Sequence, residues 1–133
     1  RGLLLDIHGQ GGIPNALVRG TNNGQTTELL TKRHGRDALI GPKSLLGRFA
    51  SMGFPIVPGV ASEDDEDKRY LGGYIVRTYG SHQGHGIDAI QLEFGSDLRK
   101  KAALPKTASA MAEALEHFAR EFMPEMLDVK KPR

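Results

Sequence analysis

The apolar run Leu3, Leu4, Leu5 and Ile7 predicts a buried strand over residues 3–8, ending in Asp6 and His8. "GQGGIPN" follows, and its glycines and Pro14 predict a loop. "ALVRG" reads as a short strand closed by the turn signal "TNNGQ". Thr26 or Thr27 is placed to cap a helix through "ELLTKRH", with Gly35 ending it in the left-handed conformation. A second helix, "SLLGRFASM", takes Ser44 as cap and Gly53 as stop. Pro55, Pro58 and Gly59 open a loop, which the acidic run "SEDDED" at 62–67 continues as a solvated surface segment. The run lacks the ligand spacing of an EF-hand loop.

"YIVRTY" alternates and predicts a strand over 74–79. The glycine loop "GSHQGHG" separates it from a better-marked strand, "IDAIQLEFG". There Ile90, Leu92 and Phe94 face one way and Ala89, Gln91 and Glu93 the other. From Thr107 to Met123, Ala108, Met111, Ala112, Leu115, Phe118, Ala119 and Phe122 recur at offsets of three and four, one apolar stripe on a helix. Glu116 and Arg120 pair on its polar side, and Pro124 stops it. Strands mixed with helices predict an α/β fold, a mixed sheet flanked by helices, as one domain over residues 1–123 with a tail over 124–133, frayed in its last stretch "DVKKPR".

Composition narrows the chemistry. A chain of 133 residues can bury a core without disulfides or a structural metal. The absence of cysteine excludes thiolate nucleophiles and cysteine-ligated metals. The net charge of +2 comes from scattered lysines and arginines with no aromatic-interleaved basic stripe, so no nucleic-acid partner is expected. No apolar run approaches a membrane span, so no membrane partner is expected either. A strand that begins within two residues of Arg1 suggests a chain cut from something longer.

Two acids and a histidine stand out. Asp6 and His8 are two apart on a strand and share a face, at the carboxyl end where open α/β sheets place ligands. A neutral imidazole there can hold a metal, with Asp6 as its orienting carboxylate. The plainer alternative is a polar strand end that caps a turn. Glu93 ends an otherwise apolar strand, where burial would raise its pKa toward that of a general base. Its plainer alternative is an ion pair to Arg77 or Arg99. Taken together, a ligand and a base at one sheet end make the arrangement of metal-assisted hydrolysis. Arg77, sharing the predicted strand face with Tyr79, is a candidate clamp for a substrate carboxylate. Arg19 is a weaker candidate of the same kind, and Gln91 is placed to position Glu93. His82 and His85 are substitute ligands or residues of a surface loop. His34 reads as a helix-end residue and His117 as an exposed helical one.

The segments "LLLDIHGQ", "LVRGTNNGQT", "GPKSLLGRF", "LGGYIVRTYGS" and "GIDAIQLEFGSDLR" resemble N-formylglutamate amidohydrolase-like proteins, within the zinc carboxypeptidase-like hydrolases. The resemblance runs from Leu3 to about Phe122, and "DAIQLE" with the preceding "GGY…YG" is its most specific part. It implies a zinc-exopeptidase-like fold, with His8 as the last of three zinc ligands and Glu93 as the base. The other two ligands, a histidine and a glutamate, lie upstream in that family and have no counterpart after Arg1. The chain is therefore expected to correspond to the carboxyl-terminal portion, with the remaining amino-terminal segment of the same polypeptide as its partner. By itself it is expected to be metal-poor and inactive. The implied activity is hydrolysis of the amide bond of an N-formyl or N-acyl amino acid, a small substrate carrying a carboxylate, with one zinc ion. The rival is a binding or scaffold module that kept the fold and lost the metal.

Overall fold

A computed structural model of the protein describes residues 2–127. The tail beyond them, on which fraying was expected, lies outside the described residues. The element order is β1 (Gly2–Gln10), β2 (Leu17–Gly20), α1 (Glu28–His34), α2 (Asp37–Ile40), α3 (Leu45–Ser51), β3 (Ile56–Val57), α4 (Tyr74–Tyr79), β4 (Ile87–Gly95) and α5 (Leu104–Phe122), joined by short 3-10 turns. The protein is an α/β fold on a four-stranded mixed sheet of order β1-β4-β2-β3. β1 runs parallel to β4, β2 antiparallel to β4, and β3 parallel to β2.

β4 is the central strand and is buried along almost its whole length. Its two faces divide as the alternation predicts. Ile90, Leu92 and Phe94 join Leu17, Phe49 and Phe118 in one core beneath α3 and α5. Ala89, Gln91 and Glu93 face the other side, where α4 crosses. Ser44 caps α3 by accepting from the Gly47 N–H at 3.0 Å.

Five expectations require correction. Residues 74–79 form helix α4, not a strand. The segment packs across the sheet face against β4 and β1 instead of adding to an edge. A helix there needs only one apolar residue inward, and Val76 is that residue, at 0% exposure. Gly20 admits the crossing chain, since a Cβ there would meet the backbone of Tyr70 and Gly72.

The acidic run is not wholly solvated. Glu66 is 2% exposed and ion-paired to Arg19. Helix α1 is not capped by a threonine side chain. Its first amides donate to Ser81 Oγ (from Leu29, 3.1 Å) and Asp88 Oδ1 (from Leu30, 3.0 Å), so distant residues satisfy that helix end. Gly35 has φ 80° and ψ 170°, positive but outside the left-handed helical region.

Finally, the buried face of α5 is rotated from the predicted stripe. Thr107, Ala110, Ala114, Phe118 and Phe122 are buried, whereas Ala108 and Ala112 are exposed. Phe118 remains the anchor, at 1% exposure. Phe118→Ala is expected to cost about 3–5 kcal/mol, the usual loss for a large buried aromatic. The urea midpoint measures it, and an unchanged midpoint would remove α5 from the core.

Candidate functional site

The parallel ladder between β1 and β4 sets His8 opposite Glu93 and Asp6 opposite Gln91. Register partners share a face, so Asp6, His8 and Glu93 gather on the side away from α5, at the carboxyl ends of both strands. Their side chains meet. His8 Nε2 lies 3.0 Å from Asp6 Oδ2, and its Nδ1 lies 3.9 Å from Glu93 Oε1. Asp6 and Glu93 are close to buried, while the imidazole is 45% exposed, so solvent reaches the cluster through the histidine.

Burial pushes the Glu93 carboxyl above its ordinary value of 4.5. The positive charge of His8 and, less strongly, of Arg99 works against that shift, and the negative charge of Asp6 adds to it. Such a carboxyl holds a proton more firmly than a surface glutamate, which suits a group that must take one up and give it back.

The strand ends are tied down by two residues. Gln10, 5% exposed, accepts from the Ile13 N–H at 2.7 Å and donates to the Ile13 and Ala16 carbonyls, closing the glycine loop on itself. Arg99 reaches across both strands. Its Nε donates to the Phe94 carbonyl at 3.0 Å and its Nη2 to the Gln10 carbonyl at 3.5 Å. The guanidinium fits because residue 9 is glycine: a Cβ there would lie 2.7 Å from Arg99 Cζ. Arg99 thus ties the two strand ends together instead of pairing directly with Glu93. Neither role was foreseen. The one available signal was a polar residue immediately before a double glycine.

The other candidates lie elsewhere. Arg77 and Tyr79 are exposed on helix α4, where residues two apart point away from each other. The shared strand face expected for them does not exist, and Arg77 makes no ion pair with Glu93. Arg19 is on the opposite side of the sheet. Its Nε donates to Glu66 Oε1 at 2.8 Å and its Nη1 to the Leu39 carbonyl at 3.0 Å. Gln91 shares the face of Glu93 but lies beneath Gly73, where a Cβ would come within 2.9 Å of its Nε2. His82 and His85 sit in the loop after α4, and His85 packs against Tyr79.

As a metal site the cluster offers one imidazole nitrogen, with Asp6 holding the other as an orienting carboxylate would. A catalytic zinc takes three protein ligands. Among the described residues no group of three or more histidine, aspartate or glutamate side chains is arranged to hold a metal. The described residues therefore fit one ligand position and its support, not a complete zinc site. No helix among them is long and apolar enough to cross a membrane.

Fold and cluster together define an α/β protein with an acid–imidazole–acid group at the carboxyl end of two parallel strands. Comparison with protein-family models, with curated proteins and with solved structures gave no match.

Proposed function

We propose that the protein belongs with the zinc-exopeptidase-like hydrolases and acts on the amide bond of an N-acyl amino acid, with Glu93 as general base. The observation that carries this reading is the register pairing of His8 with Glu93, which leaves an imidazole nitrogen 3.9 Å from a carboxyl of raised pKa. In the reaction, Glu93 takes a proton from water as the water oxygen bonds to the amide carbon. The carbon–nitrogen bond then breaks, and the proton passes from Glu93 to the departing amine, giving a carboxylic acid and an amino acid. His8, held by Asp6, keeps its other ring nitrogen directed toward the same point. Zinc is the metal this reading calls for, and when bound it would acidify the attacking water. His8 is the ligand this chain contributes, and further ligands would have to join it.

The test uses the polypeptide expressed from its natural reading frame. N-formyl-, N-acetyl- and longer N-acyl-glutamates are offered as substrates, with and without zinc. His8→Ala is expected to lose both zinc uptake and turnover. Undiminished turnover in His8→Ala would overturn the proposal. Zinc uptake without hydrolysis of any of these amides would favour a binding module.

A further inference from the structure

The segment between the acidic run and α4 lies on the same sheet face as the His8–Glu93 cluster. A Cβ on Gly20 would strike the Tyr70 carbonyl, and one on Gly73 would meet the Gln91 side chain, so the chain passes close over that face. Gly20 is level with Gln91 in the β2–β4 ladder, and Gln10 is level with Gly95 in the β1–β4 ladder. The Tyr70 hydroxyl reaches the Gln10 Oε1, 3.4 Å away. Between those two levels stands the Val18–Glu93 rung, so the Tyr70 side chain walls the cluster on its β2 side.

Arg69 stands at the end of that wall, clasped by Asp67. The Asp67 Oδ1 accepts from the Arg69 backbone N–H at 2.9 Å and from its Nε at 3.0 Å, and the Oδ2 accepts from Nη2 at 2.6 Å. Those bonds hold the Asp67 carboxyl down at about 2, so the clasp stays ionised at neutral pH. The guanidinium also lies over the Tyr70 ring, 5.2 Å from its centroid. The clasp uses Nε and Nη2. Nη1 has no hydrogen-bond partner among the described residues, and it lies over Gly12, where a Cβ would come within 2.8 Å of it. The side chain is 57% exposed, so a ligand reaches it from solvent. Arg99, by contrast, packs on Gly9 on the opposite face.

We infer that Arg69 Nη1 is a carboxylate-binding group, holding the anionic end of a small ligand over the glycine loop while the Tyr70 ring packs against its carbon chain. An arginine clasped along one edge is a pre-oriented donor, because little further side-chain freedom is lost when a ligand arrives. Its charge is balanced by Asp67, so it supplies a directed, charge-assisted hydrogen bond more than a long-range field. The substrate part of this inference rests on the hydrolase reading. There the carboxylate belongs to the amino-acid half, held at Arg69 while the amide lies at Glu93, and Arg69 takes the clamp role expected of Arg77.

Two measurements on the polypeptide expressed from its natural reading frame test this. The first is independent of catalysis: calorimetric titration with glutarate and with glutaramide, its neutral isostere. Glutarate is expected to bind about tenfold more tightly or better, as one charge-assisted hydrogen bond implies. Arg69→Gln is expected to bring glutarate down to the level of glutaramide. Lys68→Gln, which removes an exposed cation one residue away, is expected to leave both unchanged. Circular dichroism checks that each variant is folded. Equal binding of the two probes, absence of glutarate binding, or undiminished binding in a folded Arg69→Gln would overturn the inference, as would an equal loss in Lys68→Gln.

The second measurement is hydrolysis of N-acetylglutamate and of its diamide, in which both carboxylates are carboxamides. Arg69→Gln is expected to raise KM for N-acetylglutamate about tenfold or more while kcat changes less than about threefold, and to leave kcat/KM for the diamide unchanged. Turnover with an unchanged KM in Arg69→Gln would overturn the substrate part and leave the hydrolase reading standing. If neither amide is hydrolysed but glutarate binds through Arg69 as described, the hydrolase reading fails and the carboxylate site stands.

Discussion

Glu93→Gln is expected to abolish turnover of N-acyl amino acids while making the protein more stable at neutral pH. Loss of a general base costs about 10²–10⁴-fold in rate. Glutamine keeps the shape but cannot accept the proton, and Glu93 is not proposed as a metal ligand, so zinc uptake should survive. The stability effect has the opposite sign and follows from linkage. The folded-state pKa of Glu93 is raised above its ordinary 4.5. Between the two values the native state binds more protons than the unfolded state, so this group's contribution falls as pH rises from 4.5 through the raised value. At pH 7 the ionised, largely buried carboxylate is a standing cost that glutamine lacks. The urea midpoint of Glu93→Gln should therefore exceed that of the parent at pH 7, and the gap should close below about pH 4.5. The same ionisation sets the acid limb of the activity profile, with turnover rising as Glu93 loses its proton. A fully active Glu93→Gln protein would remove Glu93 from the mechanism, and a midpoint lowered at pH 7 would show that its charge is not a burden.

Glu66→Ala is expected to be the most damaging single substitution for the fold. Glu66 Oε1 accepts from Arg19 Nε at 2.8 Å and from Thr21 Oγ1 at 2.6 Å. Its Oε2 accepts from the backbone amides of Thr21 at 2.7 Å and Asn23 at 3.0 Å. Removing one member of a buried ion pair costs about 3–5 kcal/mol, because the other charge stays buried and alone. The orphaned amides add to that, each costing about 1–3 kcal/mol where water does not reach it. Pairing the change with Arg19→Met should recover part of the loss by removing the stranded guanidinium, but not the part due to Thr21 and Asn23. Urea denaturation of the single and double variants measures both. A loss below about 1 kcal/mol would mean that the loop carrying Glu66 lifts from the sheet without consequence.

These two residues also show what the sequence made legible. Strands β1 and β4 follow from composition and alternation, and the strand-end position of His8 and Glu93 follows with them. The Ser44 cap and the existence of α5 are equally local signals. Glu66 was hidden because an acidic run normally belongs to water. Only the buried Arg19 on β2 gives it a reason to turn inward, and nothing local joins the two. Helix α4 carries a strand signature because Ile75, Val76 and Thr78 favour strands intrinsically, while against the sheet face it buries Val76 rather than an alternating row. The rotation of α5 has a similar cause. Ala110 and Ala114, too small to dominate a hydrophobic stripe, are buried where α5 packs closely against α3, while Ala108 and Ala112 carry the same local signal on the exposed side. Arg99 and Gln10 secure the strand ends through backbone carbonyls and amides, partners that carry no side-chain signature.

The strand order carries a consequence for how the protein comes into being on the ribosome. In the order β1-β4-β2-β3, β1 pairs among the described strands with β4, the last of the four along the chain, and β2 leans on β4 along most of its ladder. Synthesis therefore delivers the leucine-rich β1 well before its partner β4, whereas the two-residue β2–β3 ladder can form earlier. The β1–β4 pairing must close a long loop, which makes it a late event. The same late event brings Glu93 to His8, so a nascent chain that stalls short of β4 lacks the cluster altogether and is a natural client for chaperones.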